Sequence, residues 1–231
     1  MKRLRRLIWR IGLLAFAALF IYQFWIFGHV VWYVRFDPGN TAFMQARLDL
    51  MLEENPRAKL RQTRVPYERI SNHLKRAIIA AEDAKFLDHS GFDWEAIQRA
   101  AERNLQRGRV IAGGSTISQQ LAKNLFLSGR RTPWRKLQEA SITFMIETVM
   151  SKRRILDIYL NVIEWGDGVF GAEAAARHYY GLRAADLSAE QAARLAAMVP
   201  RPRFYDRVRS TPLLERRTAT ILARMRLVSA P

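Results

Sequence analysis

The sequence predicts a predominantly α-helical domain carried behind one membrane-crossing helix. Three observations predict it. Residues 11–34 contain no Asp, Glu, Lys or Arg. Further on, helix-start signals recur, each a Ser, Thr or Asp, several followed at once by Pro or three residues later by Gln. Alternating strand patterns are confined to short stretches at residues 30–36 and 64–67. The chain has 231 residues, 49% of them hydrophobic, with no repeat and no low-complexity tract. That suits one domain plus an appendage, long enough for a sizeable helical core.

Residues 1–10 form a short basic leader, with Lys2, Arg3, Arg5, Arg6 and Arg10. The uncharged run 11–34 would cover about 36 Å at helical rise, enough to cross a hydrocarbon layer of about 30 Å with some tilt. The basic cluster should stay in the cytoplasm, placing the rest of the chain on the far side, and Trp25, Trp32 and Tyr33 suit the outer interface. A cleaved signal peptide would have a shorter apolar region closed by a small-x-small site; neither is present, so an uncleaved anchor is expected. Residues 35–73, with Pro38, Gly39, Pro56 and Pro66, read as a connector holding a short helix at 41–54. The domain proper is expected at 74–231.

Its first stretch, 77–91, reads as a helix because Leu74, Ile78 and Ala81 recur at helical spacing. Asp93 is a good N-cap for a helix at 94–106, with Gly108 past its end. Thr116 and Gln119 form a capping box opening 117–127. A short loop, 128–132, leads to Thr132-Pro133, an N-cap and first-turn proline for a helix through residue 150. Ser151 leads into 152–163. Ser188 with Gln191 caps a helix ending before Pro200, and Thr211-Pro212 opens the last one.

There is no cysteine, which excludes disulfides and thiolate metal sites. The net charge is +17, and residues 35–231 carry +12 of it. Such a balance points to nucleic acid, anionic lipid or a phosphorylated substrate. An anchored domain outside the cytoplasm meets anionic lipids and lipid-linked diphosphates and has little access to nucleic acid.

Glu82 lies on the otherwise apolar side of its helix, where lost hydration raises a carboxylate's pKa and makes it a proton acceptor near neutral pH. The plainer reading is a helix-end carboxylate paired with Lys85 or with a solvated neighbour. The segment 109–124 is a glycine loop feeding a helix start, which lets backbone N–H groups approach an anion. An ordinary glycine turn would look the same, and the Gly-Lys-Ser/Thr of a P-loop is missing. On the following helix Gln120, Lys123 and Asn124 share a polar face, opposite Ile117, Leu121 and Leu125. Arg135 and Lys136 lie four and three residues before Glu139, a spacing that also suits a surface ion pair. His89 has no partner at ligand spacing, so a hydrogen-bonded structural or positioning role is expected, not metal binding. Trp94, Phe126, Trp134 and Phe144 read as core or interface aromatics.

Five segments occur in order: Glu82-Asp83-x-x-Phe86-x-x-His89-x-Gly91; Gly113-Gly114-Ser115-Thr116-Ile117-x-Gln119-Gln120-Leu121-x-Lys123-Asn124; Arg135-Lys136-x-x-Glu139; Lys152-x-x-Ile155-Leu156-x-x-Tyr159-Leu160-Asn161; and Gly168-x-x-Gly171-x-x-x-Ala175-Ala176. Together they resemble the signatures of the bacterial peptidoglycan glycosyltransferases, glycosyltransferase family 51, in its monofunctional biosynthetic transglycosylase form. The resemblance implies a lysozyme-like fold and a polymerase that elongates lipid-linked glycan strands from lipid II, with inversion, β-1,4 linkage and release of undecaprenyl diphosphate. It makes Glu82 the general base and Glu139 the second active-site carboxylate. It assigns Asp83, Phe86, His89, Ser115, Thr116, Gln120, Lys123, Asn124, Arg135 and Lys136 to substrate binding, the last two facing the diphosphate with Lys123.

No cofactor is obligatory in this expectation; a divalent cation, Mg2+ or Mn2+, could accompany the diphosphate. The implied partners are lipid II, the growing strand, the membrane and other cell-wall synthesis or division proteins, without nucleic acid. The implied place is the inner membrane, with the catalytic domain in the periplasm. No Ser-x-x-Lys is present, so cross-linking is not expected. Two alternatives are a lytic enzyme of lysozyme-like fold and a non-enzymatic anchored scaffold. The basic triplet speaks against the first, and two carboxylates among those charges against the second.

Overall fold

The computed structural model describes residues 2–108, 113–128 and 132–231. The first residues of the expected glycine loop, 109–112, and most of the expected 128–132 loop therefore lie outside the described residues. Helix α1 spans Lys2–Trp32. Among the described residues it is the one helix long and apolar enough to cross a membrane, by length and composition. The basic leader is continuous with it, since Lys and Arg are good helix formers and no capping residue separates them from the apolar run. α1 touches α6 (Pro133–Val149), and its two buried residues are Ile26 and Val30.

The chain leaves α1 through a joint closed by Arg154. Its guanidinium donates to the Tyr33 and Phe36 carbonyls, both at 2.8 Å, to Asp37 at 2.8 Å and to Asp157 at 2.7 Å. Arg64 pairs with the same two carboxylates. The following stretch is packed into the fold. Helix α2 (Ala42–Glu54) is capped by Thr41, buries Met44 and lies against α5 (Ile117–Phe126). Strand β1 (Arg61–Gln62) pairs in parallel with β3 (Val169–Phe170), and β2 (Glu164–Gly166) lies antiparallel on β3's other side. The two expected strand stretches are not strands. Residues 30–36 finish α1 and turn, and 64–67 lead into a 3-10 turn at Tyr67–Arg69. The strands that do form are two or three residues long, too short to show alternation.

Helix α3 (Asn72–Glu82) ends at Glu82, whereas the sequence suggested a helix to residue 91. Asp83 leaves helical geometry at φ −163°, and residues 84–91 turn back to Gly91, at φ +91°. Helices α4 (Trp94–Gln106), α5, α6 and α7 (Lys152–Val162) then open at Asp93, Thr116, Thr132 and Ser151, each accepting the expected cap bond. Helix α8 (Ala172–Tyr180) follows β3, and α9 (Ala189–Met198) carries the Ser188–Gln191 capping box. Helices α10 (Pro202–Val208) and α11 (Pro212–Arg224) close the described chain.

Packing falls into two linked groups. Helix α9 sits between α3 and α11, and α5 sits between α6 and α7. Leu74 and Ile78 of α3, Ile117 and Leu121 of α5, and Tyr159 of α7 are fully buried in one core with Trp165 and Phe170 of the small sheet. Each such side chain contributes about 1.5–3 kcal/mol by leaving water. The result holds the C-terminal end of α3 beside α5 and α7.

Candidate active site

Glu82 is the last residue of α3, two turns beyond buried Leu74 and one beyond buried Ile78, so the helix carries it out of the core at its end. The side chain is 11% exposed. Its Oε2 accepts a bond from Gln120 Nε2 at 2.8 Å, while Oε1 is buried without a hydrogen-bond partner. The guanidinium of Arg217 stands 3.7 Å from Oε1. Burial pushes the carboxyl above its ordinary range, opposed by the Gln120 bond and by the charges of Arg217 and Lys123. Gln120 is itself fixed, its Oε1 accepting from the Tyr159 hydroxyl at 2.9 Å. Burial first, then the neighbouring Glu82 and Asp83, hold Tyr159 well above the ordinary phenol range, so it stays a neutral donor. One oxygen of Glu82 is thus oriented by a Tyr159–Gln120 chain, and the other, buried beside Arg217, accepts no hydrogen bond.

Asp83 is used differently. Its Oδ1 accepts from His89 Nε2 at 2.9 Å and its Oδ2 from the Ile117 backbone N–H at 3.0 Å. His89 Nδ1 accepts from the Gly91 N–H at 3.1 Å, which leaves the ring proton on Nε2. Thr116 caps α5 and donates to the Gly91 carbonyl at 2.6 Å. Asp83, His89 and Thr116 therefore tie the turn after α3 to the start of α5. Phe86 is fully buried beneath Lys152 Nζ, 4.6 Å from its ring centre. Ser115 is exposed beside the glycines, Lys123 is half-buried, and buried Asn124 donates to the Gln120 carbonyl at 2.8 Å.

On α6, Glu139 is buried and paired with Lys136 of its own helix, whose side chain is largely in solvent. Arg135 has a buried Nε without a hydrogen-bond partner. No hydrogen bond or ion pair among the described residues joins Glu82 to Arg135, Lys136 or Glu139. The link is the packing of α5 on α6. The alternative pairing of Glu82 with Lys85 does not form, because the helix stops and Lys85 bonds Glu95 at 2.6 Å.

Residues 50–226 match the family model described as Transglycosylase. The chain belongs to the transglycosylase family. Relatives named biosynthetic peptidoglycan transglycosylase support the match. One from Nitrosospira multiformis is 66% identical over 98% of this chain and 99% of its own length. Others come from Methylobacillus flagellatus, 60% identical over 99% and 100%, and Laribacter hongkongensis, 63% identical over 95% and 97%. The predominantly α architecture with a minimal sheet agrees with the lysozyme-like fold of a transglycosylase domain.

Two features of this transglycosylase site were not read from the sequence. Arg217 lies in a charge-rich stretch of α11 that looks like a solvated face, and only packing in space brings it to Glu82. Ser118 donates to Glu147 in a partly buried bond, and Lys152 joins them at 2.7 Å from Glu147. Lys152 stands in the fourth segment, whereas Ser118 and Glu147 carry no local signal.

Proposed function

We propose that the chain is a membrane-anchored peptidoglycan glycosyltransferase that extends a lipid-linked glycan strand from lipid II. The single observation that carries the mechanism is Glu82, buried, oriented through one oxygen and accepting no hydrogen bond at the other. Oε1 takes the proton from the 4-hydroxyl of the acceptor N-acetylglucosamine. That oxygen attacks C1 of the donor N-acetylmuramic acid as the bond from C1 to the diphosphate oxygen breaks, giving a β-1,4 link with inversion. Undecaprenyl diphosphate leaves with the electron pair.

Lys123, Arg135 and Lys136 stabilise that departing charge. The unsatisfied Nε of Arg135 supports this reading, because a buried donor without a partner is completed by a phosphate oxygen. Glu139 holds Lys136 in place. Among the described residues no group of three or more His, Asp or Glu is placed to hold a resident metal. Mg2+ or Mn2+ would arrive with the diphosphate, and a chelator titration reads whether activity needs it.

Helix α1 anchors the enzyme in the inner membrane, with the catalytic domain in the periplasm beside other cell-wall synthesis proteins. Trp134 and Phe144 on α6 and Trp94 at the start of α4 are exposed, which suits contact with the bilayer that holds the substrate's lipid tail. The test is to incubate the detergent-solubilised protein with labelled lipid II. Polymer from wild type and none from Glu82→Gln is the expected result. Release of soluble fragments from preformed peptidoglycan, without polymer, would instead support a lytic enzyme.

A further inference from the structure

The joint below α1 carries a feature that the transfer reaction does not use. An apolar groove of about 750 Å³ runs along the outer half of α1, lined by Ile21, Phe24, Trp25, Gly28 and Trp32. It meets a second cleft of about 600 Å³ at Asp37, which lines both. The second cleft is lined by Arg35, Arg64, Arg153 and Arg154 against Asp37, Glu68 and Asp157.

Within it Arg154 already commits four of its five N–H donors, whereas the other three arginines keep more donors in hand. Among the described residues no hydrogen bond or ion pair engages the Arg35 side chain. Arg64 Nη1 is buried without a partner. Arg153 spends one nitrogen on Glu68 and lays its guanidinium over Tyr67, 4.5 Å from the ring centre, with half its side chain exposed. Four arginines against three carboxylates leave one net positive charge, just past the last helical residue of α1.

An apolar trough that opens at the membrane surface into an arginine-lined cleft has the shape and polarity of an amphiphile with an anionic head. The geometry points to a binding site for one anionic glycerophospholipid, its acyl chains along α1 and its phosphate at Arg35, Arg64 and Arg153. Guanidinium N–H pairs match phosphate oxygens, and an outer-leaflet headgroup lies at this height when α1 spans the bilayer. The site rests on that reading of α1 and adds a ligand to it.

The experiment reconstitutes the full chain in nanodiscs of equal phosphatidylglycerol and phosphatidylcholine. Lipid retained on release is weighed by native mass spectrometry, and lipid II polymerisation is measured on the same sample. Wild type should retain phosphatidylglycerol about tenfold over phosphatidylcholine. Arg35→Ala and Arg153→Ala should each lower that preference about fivefold, with Arg35→Lys restoring only the part owed to charge. Both positions are exposed, so unchanged melting is expected and serves as the folding control.

Excess inorganic phosphate should not displace the lipid, because the trough holds the chains. Equal retention of the two lipids, a preference untouched by both alanines, or displacement by phosphate would each overturn the site while polymerisation persists. A chain that fails to enter nanodiscs at all would overturn the membrane reading and the site together.

Discussion

Glu164 offers a measurement of burial against charge pairing at one carboxylate. It opens β2 with its side chain 4% exposed, 3.4 Å from Arg203 and 3.7 Å from Arg47, and its Oε1 accepts no hydrogen bond. Burial outweighs the two guanidiniums and pushes the carboxyl from an ordinary 4.5 up to about 7. A raised value means that the folded protein holds this proton more tightly than the unfolded chain. The stabilisation is complete below pH 4.5, fades as the pH rises through that window, and is gone above about 7. At about 1.4 kcal/mol per tenfold change, the loss is about 3 kcal/mol. Glu164→Gln keeps the shape and has no proton to lose. The variant should therefore gain on wild type between pH 4 and pH 8 by roughly 6–12 °C in melting temperature, read by differential scanning fluorimetry in detergent. Both proteins carry the same remaining charges, so the background pH dependence cancels in the difference. A difference that stays constant across this range would refute the reasoning. A variant that loses ground at pH 8 would show that Arg47 and Arg203 keep Glu164 ionised throughout.

Other outcomes follow from the site. Glu82→Gln should reduce polymerisation at least about 10²-fold while melting and lipid II binding stay near wild type; a near-normal rate would remove Glu82 as the base. The rising limb of kcat/KM against pH should lie above the ordinary carboxylate range, because the ionised form is required and burial raises its pKa. Arg217→Met removes the cation beside Oε1 and should move that limb to higher pH; an unmoved limb would reduce Arg217 to packing. Arg135→Lys should lower kcat as well as raise KM despite equal charge, since lysine cannot grip two phosphate oxygens at once, and a change in KM alone would end the leaving-group role. Gly171→Ala should cost about 2 kcal/mol or more, as φ is +82° and an added Cβ would lie 2.8 Å from the Asn161 carbonyl oxygen. Near-wild-type melting would contradict it.

Helix starts were legible because their code is local. Asp93, Thr116, Thr132, Ser151, Ser188 and Thr211 each satisfy a backbone N–H within three residues, and the structure uses all six. Helices α8 and α10 escaped notice for the same reason. They begin at Gly171 and Arg201 without any side-chain cap. The end of α3 was illegible because Asp83 is drawn out of the helix by Ile117 and His89, groups that sequence spacing does not bring to it. The chemistry at Glu82 could be anticipated from its place on an apolar face, and Gln120 from the segment it shares with Lys123. Arg217 could not, since it comes from the far end of the chain through the packing of α11 on α3.

The Arg154 joint has a mechanical consequence. A tether would let the catalytic body drift at any height above the lipid, but three hydrogen bonds from Arg154 to the turn after α1 remove that slack. Helix and body therefore lean together. With α1 spanning the bilayer as proposed, a membrane thinner than it requires would tilt the helix to hide its excess length, and the body would be carried round with it like the head of a lever. Membrane thickness would thereby set the angle at which the cleft faces the lipid surface, and with it how far each substrate must rise to reach Glu82.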